Sequence, residues 1–355
     1  MTGTPYVVTI GETMGLLSTV TPGPLSHAAT MTLGIGGSES NVAIGVSRLG
    51  VGSVWMGRVG DDAVGRLVER EIRAEGVEAR VIVDPEAPTG LMLKERRTAT
   101  SQSVNYYRAG SAGSRLSPDD LDEELLAGAA VVHVTGITAA LSASADQAIR
   151  RAVQIARQNG ALVSYDVNYR SKLWSTDRAA EFARSLLPSC DVVFAGEDEA
   201  AMVLGGEPGA TSPTPPEFAT DKAAKADKAA EAAAPTTAPA LSLLAGRRLE
   251  LACGLARLGP AQAVVKCGAD GAVALIDGHE HVRPGVPIVP HDTVGAGDAF
   301  VAGYLAELAL TRPAEARLLT AVTTAAFVCL SPGDWEGLPR RAELDLLSAT
   351  EPVQR

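Results

Sequence analysis

His291-Asp292-Thr293-Val294-Gly295-Ala296-Gly297-Asp298-Ala299-Phe300 sets two glycines, one residue apart, directly before an acidic residue that opens an apolar helix. Small residues let the backbone turn tightly enough to aim successive amide N–H groups at an anion, and the helix that follows adds the positive end of its dipole. A carboxylate beside an anion nest is contradictory only if Asp298 faces the phosphate. It is consistent if Asp298 faces the hydroxyl that attacks the phosphate, as phosphoryl transfer requires. Read alone, the stretch is equally a glycine loop before an Asp-capped helix.

Around this motif, short β-rich runs alternate with helical patterns. Strands are expected at about 5–10, 53–57, 79–83, 131–135, 162–166, 191–195 and 262–266, and helices at 41–49, 65–75, 145–158, 178–187, 298–310 and 314–330. This alternation predicts parallel βαβ units in a doubly wound α/β sheet. Residues 16–35 and 89–108 break the rhythm: apolar alternation at Leu91, Leu93 and 104–107 reads as strands with no helix between them. They are expected to form a small β-sheet lid over a main αβα domain made of 1–15, 36–88 and 109–345. Residues 205–240, rich in Ala, Pro, Thr and Lys, read as a low-complexity, disordered insertion without a part in the chemistry.

The 355 residues carry a net charge of −11, which argues against a nucleic-acid partner while allowing a local basic pocket. Hydrophobic residues make up 46% and aromatics only 4%, a balance suited to helices packed closely on a sheet. Cys190, Cys253, Cys267 and Cys329 form no C-x-x-C pair and read as reduced, buried thiols of a cytoplasmic protein. No apolar stretch approaches 18 residues and no basic leader precedes the first apolar run, so neither membrane nor export is expected. His279 and His281, in a short exposed hairpin, lack further ligands for a metal.

A second glycine loop, Gly34-Ile35-Gly36-Gly37-Ser38-Glu39-Ser40-Asn41, also enters a helix. It lacks the Lys-Ser/Thr of a Walker loop and does not directly follow a core strand as a dinucleotide fingerprint does. Its glycines allow close approach of a substrate, and Asn41 offers donors and acceptors to hydroxyls. By itself the segment is also explained as a turn with an N-cap. Lys266-Cys267-Gly268-Ala269-Asp270-Gly271, after an apolar strand, is a tight turn suited to phosphates or ribose, or a plain β-turn.

Taken in order, Gly36-Gly37-x-x-x-Asn41-Val42-Ala43, Gly60-Asp61-Asp62 and Asp292-Thr293-x-Gly295-Ala296-Gly297-Asp298 resemble the ribokinase-like (PfkB-type) carbohydrate kinases over nearly the whole chain. The resemblance implies an αβα Rossmann-like domain with a β-lid, ATP as phosphoryl donor, Mg²⁺, and transfer to a primary hydroxyl of a sugar. It makes Asp298 the base and Gly295, Ala296 and Gly297 the anion hole, with Lys266, Gly268, Gly271, Gly295 and Gly297 by the nucleotide. Glu199 carries over from a motif near the magnesium, indirectly, because Gly196 stands where the family often has Asn. Tyr106-Tyr107-Arg108, Asp166-Val167-Asn168-Tyr169-Arg170, His133 to Thr138 and Gly333-Asp334-Trp335-Glu336-Gly337 resemble 2-keto-3-deoxygluconate kinases in particular. That likeness puts Gly37, Asn41, Tyr106, Arg108, Ile137, Arg170, Asp298 and Asp334 around the acceptor, and two arginines suit an acceptor bearing a carboxylate. Glu12 stands where ribokinases have a hydroxyl-binding Asp, and Met92 where some relatives place a Tyr. A fructokinase or other neutral-sugar kinase, and a non-catalytic sugar or nucleotide sensor, are the alternatives. Open edges and apolar faces of the lid suggest a homo-oligomer.

Overall fold

In the computed structural model, which describes residues 4–98, 102–206 and 238–347, the strands are β1 (Tyr6–Ile10), β2 (Met14–Thr19), β3 (Met31–Gly36), β4 (Gly52–Gly60), β5 (Glu78–Asp84), β6 (Leu91–Arg96), β7 (Gln102–Tyr107), β8 (Val131–Thr135), β9 (Leu162–Asp166), β10 (Val192–Gly196), β11 (Gln262–Lys266), β12 (Ala272–Ile276) and β13 (His279–Arg283). The helices are α1 (Ser38–Arg48), α2 (Ala63–Ala74), α3 (Glu123–Ala127), α4 (Gly136–Leu141), α5 (Ala143–Gln158), α6 (Thr176–Leu186), α7 (Glu197–Val203), α8 (Ala238–Ala256), α9 (Ala296–Ala309) and α10 (Ala314–Val328).

A nine-stranded sheet runs β13-β12-β11-β10-β9-β8-β1-β4-β5. Its strands are parallel from β11 to β5, and β12 and β13 add an antiparallel edge. Tyr6–Ile10 and Val131–Thr135 are buried at every position, because helices cover both faces of the central strands. β1 leads to β4 on one side and β8 joins it on the other, so the order reverses there. A crevice opens outside the strand carboxyl ends at such a switch point. α9 is buried from Asp298 to Ala309, as a helix apolar all round must be, and packs between α1 and α10.

The segments that broke the alternation supply a four-stranded sheet, β3-β2-β6-β7, with β2 and β6 parallel and the other pairs antiparallel. Its inner face carries the buried Met14, Leu16 and Met92. Helices begin two to three residues earlier than the periodicity indicates at α1, α2, α5, α6 and α9. Caps explain part of this: Asp62 accepts from Gly65 N at 2.7 Å, and Ser142 and Ser175 act likewise. Of the stretch expected to be an insertion, 205–206 end the turn after α7 and 238–240 open α8; 207–237 lie outside the described residues. No helix among the described residues is long and apolar enough to cross a membrane.

Candidate active site

α1 and α9 begin side by side, so two helix N-termini with their unsatisfied N–H groups converge at the strand ends, where negative charge is stabilised. Asp298 sits in the first turn of α9. Its Oδ1 accepts from Ser38 Oγ at 2.6 Å and its Oδ2 from Asn41 Nδ2 at 2.8 Å, both on α1. Ser38 Oγ in turn accepts from Asn168 Nδ2 at 2.9 Å. Three elements thus fix one carboxylate. Asn168 reaches in from a left-handed backbone position, φ 39°, which Asn tolerates better than most residues. The buried Asn41 Oδ1 has no hydrogen-bond partner among the described residues.

Gly295 is the N-cap of α9 with φ 77°, a left-handed conformation, and a Cβ there would overlap the Asp334 carbonyl oxygen. Gly37, the N-cap of α1, is extended, but a Cβ would overlap the Glu12 carbonyl oxygen. Both loops are therefore held against other backbone.

Two cavities meet at the start of α9. One, of about 600 Å³, is lined by Gly37, Asn41, Tyr106, Arg108, Ile137, Arg170, Asp298 and Asp334, together with Gly295. The other, of about 450 Å³ and more apolar, is lined by Lys266, Gly268, Gly271, Ala296 and Gly297, with Phe300, Val322 and Ala326. Residues expected around an acceptor fall on one side of Asp298. Those expected around a nucleotide fall on the other, except Gly295 at the boundary.

Several details differ from the sequence expectation. Arg108 is not a free cation: its Nε donates to Glu12 Oε2 at 2.7 Å, and Ser111 Oγ donates to Glu12 Oε1. Glu12 is thus occupied by Arg108 and Ser111 and is not presented to sugar hydroxyls. Arg170 is exposed, and its guanidinium has no protein partner among the described residues. Lys266 Nζ donates to both Asp166 oxygens at 2.8 Å, so its charge is balanced before any nucleotide arrives. Burial lifts Asp166 to about 6 despite Lys266. Glu199 lines neither cavity. Its oxygens accept from Tyr169 N at 2.8 Å and Gly196 N at 2.6 Å, which ties it to backbone rather than offering it to a metal. No group of three metal-ligating side chains occurs among the described residues.

Lys172 and Glu39, also at the site, were not singled out from the sequence. Lys172 lies 5.8 Å from the Tyr106 ring centre, Arg108 lies 5.7 Å from it, and Lys172 Nζ donates to Val104 O at 3.1 Å. Glu39, in the first turn of α1, is fully buried; its Oε1 accepts from Thr135 at 2.6 Å and Thr138 at 2.5 Å, and Oε2 has no partner among the described residues. Burial, opposed by the threonine hydrogen bonds and aided by Asp298, lifts Glu39 to about 7. Asp334 is lifted by burial to about 6 although Lys94 pulls it down. The one signal that marked Glu39 was an acidic residue in an apolar helix face, which also reads as a helix-start charge.

The family model for pfkB family carbohydrate kinases matches residues 4–238 and 241–341. A 2-dehydro-3-deoxygluconokinase of Thermoproteus tenax is 34% identical over 349 residues, covering 96% of this chain and 93% of the relative. A 2-dehydro-3-deoxygalactonokinase of Haloferax volcanii is 32% identical, covering 93% of each. The crystal structure of a 2-dehydro-3-deoxygluconokinase from Thermotoga maritima superposes with a TM-score of 0.80 at 22% identity, over 97% of this chain and all of that one.

Proposed function

The chain belongs to the pfkB family of carbohydrate kinases, and from that membership we propose that it transfers the γ-phosphoryl group of ATP to the primary hydroxyl of a sugar acid, 2-keto-3-deoxygluconate first among them. Its ribokinase-like fold and its ATP-dependent sugar kinase activity are those of the family. The observation that carries the acid is the guanidinium of Arg170, without a protein partner among the described residues and in the same cavity as Asp298. A carboxylate pairs with it bidentately and with opposite charge, whereas a neutral sugar offers it no charge. Arg108, oriented by Glu12, adds donors beside it.

Asp298 takes the proton of the acceptor hydroxyl as that oxygen bonds to the γ-phosphorus and the bond to the ADP oxygen breaks. Ser38 and Asn41 hold the carboxylate in place for that transfer. The amides of Gly295, Ala296 and Gly297 stabilise charge on the transferred group from the positive end of α9. Mg²⁺ would supply neutralisation of the phosphate charge; with both Glu199 oxygens on backbone N–H groups, that residue would contribute to holding the ion only through water. The outward face of the four-stranded sheet serves a homo-oligomer.

ADP release measured in parallel with 2-keto-3-deoxygluconate, its 4-epimer, fructose and ribose tests the reading. The acid is expected to be preferred, Arg170→Ala to erase that preference, and Asp298→Asn to lower turnover by at least about 10³-fold with ATP binding retained. Equal use of fructose, or an active Asp298→Asn, overturns it.

A further inference from the structure

β6 carries a lysine on its inward face: Lys94 alternates with Met92, and both are buried. An ammonium on the apolar side of a sheet is costly unless paired. Lys94 Nζ crosses from the lid to Asp292 Oδ2 at 2.8 Å and to Asp334 Oδ1 at 3.2 Å. These two residues flank Gly295. Asp292 Oδ1 accepts from Val294 N at 3.0 Å, which sets the turn entering the anion loop, and the Asp334 backbone is what Gly295 abuts. Two residues along the same strand, Arg96 reaches His291 Nε2 at 3.3 Å, so β6 touches the loop twice. Burial alone would push the Lys94 pKa down, but Asp334 and Asp292 outweigh it and hold it above the ordinary lysine value.

We infer that Lys94 is a positioning residue through which the docked lid orders the anion loop 292–297, so that the phosphoryl cradle is complete only when the lid is seated. The inference rests on the proposed kinase reading. Lys94 lines neither the acceptor cavity nor the nucleotide cavity. When the lid lifts, the ammonium leaves with it. Asp292 and Asp334 then face each other without a counter-charge, which favours spreading of the two loops that Gly295 needs close together. Lid closure and assembly of the cradle are thereby one event, and ATP bound without a seated lid meets an incomplete site.

Lys94→Met, Lys94→Gln and Lys94→Arg are compared with wild type by steady-state kinetics and by amide hydrogen exchange of the acceptor-free protein. Loss of the ammonium is expected to lower kcat at least about tenfold, with the acceptor KM changed less than about threefold. Exchange in 292–298 is expected to accelerate while the central strands stay protected, and Lys94→Arg is expected to recover part of both. Lys94→Gln keeps hydrogen-bond donors without charge and stands in if Lys94→Met does not fold. Unchanged kcat, or exchange that rises evenly through the chain, overturns the inference. Kinetics are taken with whichever acceptor the wild type phosphorylates. A wrong acceptor therefore shows as absent turnover of the sugar acid, while a wrong role for Lys94 shows in the variant ratio and in the exchange.

Discussion

Glu39 joins the substrate cavity to the stability of the fold. Its folded-state pKa, about 7, lies above the ordinary glutamate value of 4.5. Between those values the folded chain keeps a proton that the unfolded chain releases, so this group makes stability fall as pH rises from about 4.5 to about 7, with the loss complete above that. Asp166 and Asp334, raised to about 6, contribute in the same direction. Glu39→Gln isolates one of the three: the amide oxygen still accepts from Thr135 and Thr138, and the charge is gone at every pH. Near pH 5 its unfolding midpoint is expected to match wild type; at about pH 8 it should gain the equivalent of about 3 kcal/mol. Parallel midpoint-versus-pH curves for the two proteins would falsify this account. At this scale the sequence was legible where residue type and spacing both mattered, as at Asp298 and Arg170. It was silent on Ser38, Asn168, Glu39 and Lys94, because their partners lie from 96 to 260 residues away and only folding brings them together.

The elements were legible for a different reason. Buried parallel strands such as β8 write themselves as continuous apolar runs, and α5 as a stripe on one face. The short α4 and α7, of six and seven residues, have too few turns for a period to show and lie directly after β8 and β10. Glycine loops before α1 and α9 were also visible, but which glycine is indispensable was not. Gly295 is left-handed against the Asp334 backbone, whereas a Cβ on Gly297 would meet only Lys266 Nζ at 3.7 Å, an ordinary contact. Gly295→Ala is therefore expected to cost more than about 1–2 kcal/mol of stability and to lower kcat by about 10²-fold as the anion loop moves. Gly297→Ala, inside a helix, is expected to unfold no earlier than wild type. Thermal unfolding of the two variants side by side decides: equal destabilisation removes the distinction between cap and helix.

In the molecule as a whole, the lid sheet has two unlike faces. Leu16 pairs in register with Met92 and Ser18 with Lys94 on the side that covers the cavities. One residue out of phase, Leu33, Leu17 and Leu93 stand in register across β3, β2 and β6 on the side turned away. Leu33 is 59% exposed on that side. Apolar faces on sheets with open edges are commonly covered by a second subunit, and the proposed homo-oligomer would use this one. The wild type is therefore expected to sediment at twice the 36.5 kDa chain mass. Leu33→Glu, which puts a charge on the edge of that face and touches neither the acceptor nor the nucleotide cavity, should shift it to the monomer. Because Lys94 and the inward-facing Met92 lie on the other face, the monomer is expected to keep its acceptor KM within about threefold, while kcat falls if the second copy steadies the lid against the anion loop. Sedimentation velocity with and without the substitution, at micromolar chain, checks the first part and steady-state kinetics the second. A wild type that is already monomeric, or a Leu33→Glu variant that stays paired, removes the lid face as the contact.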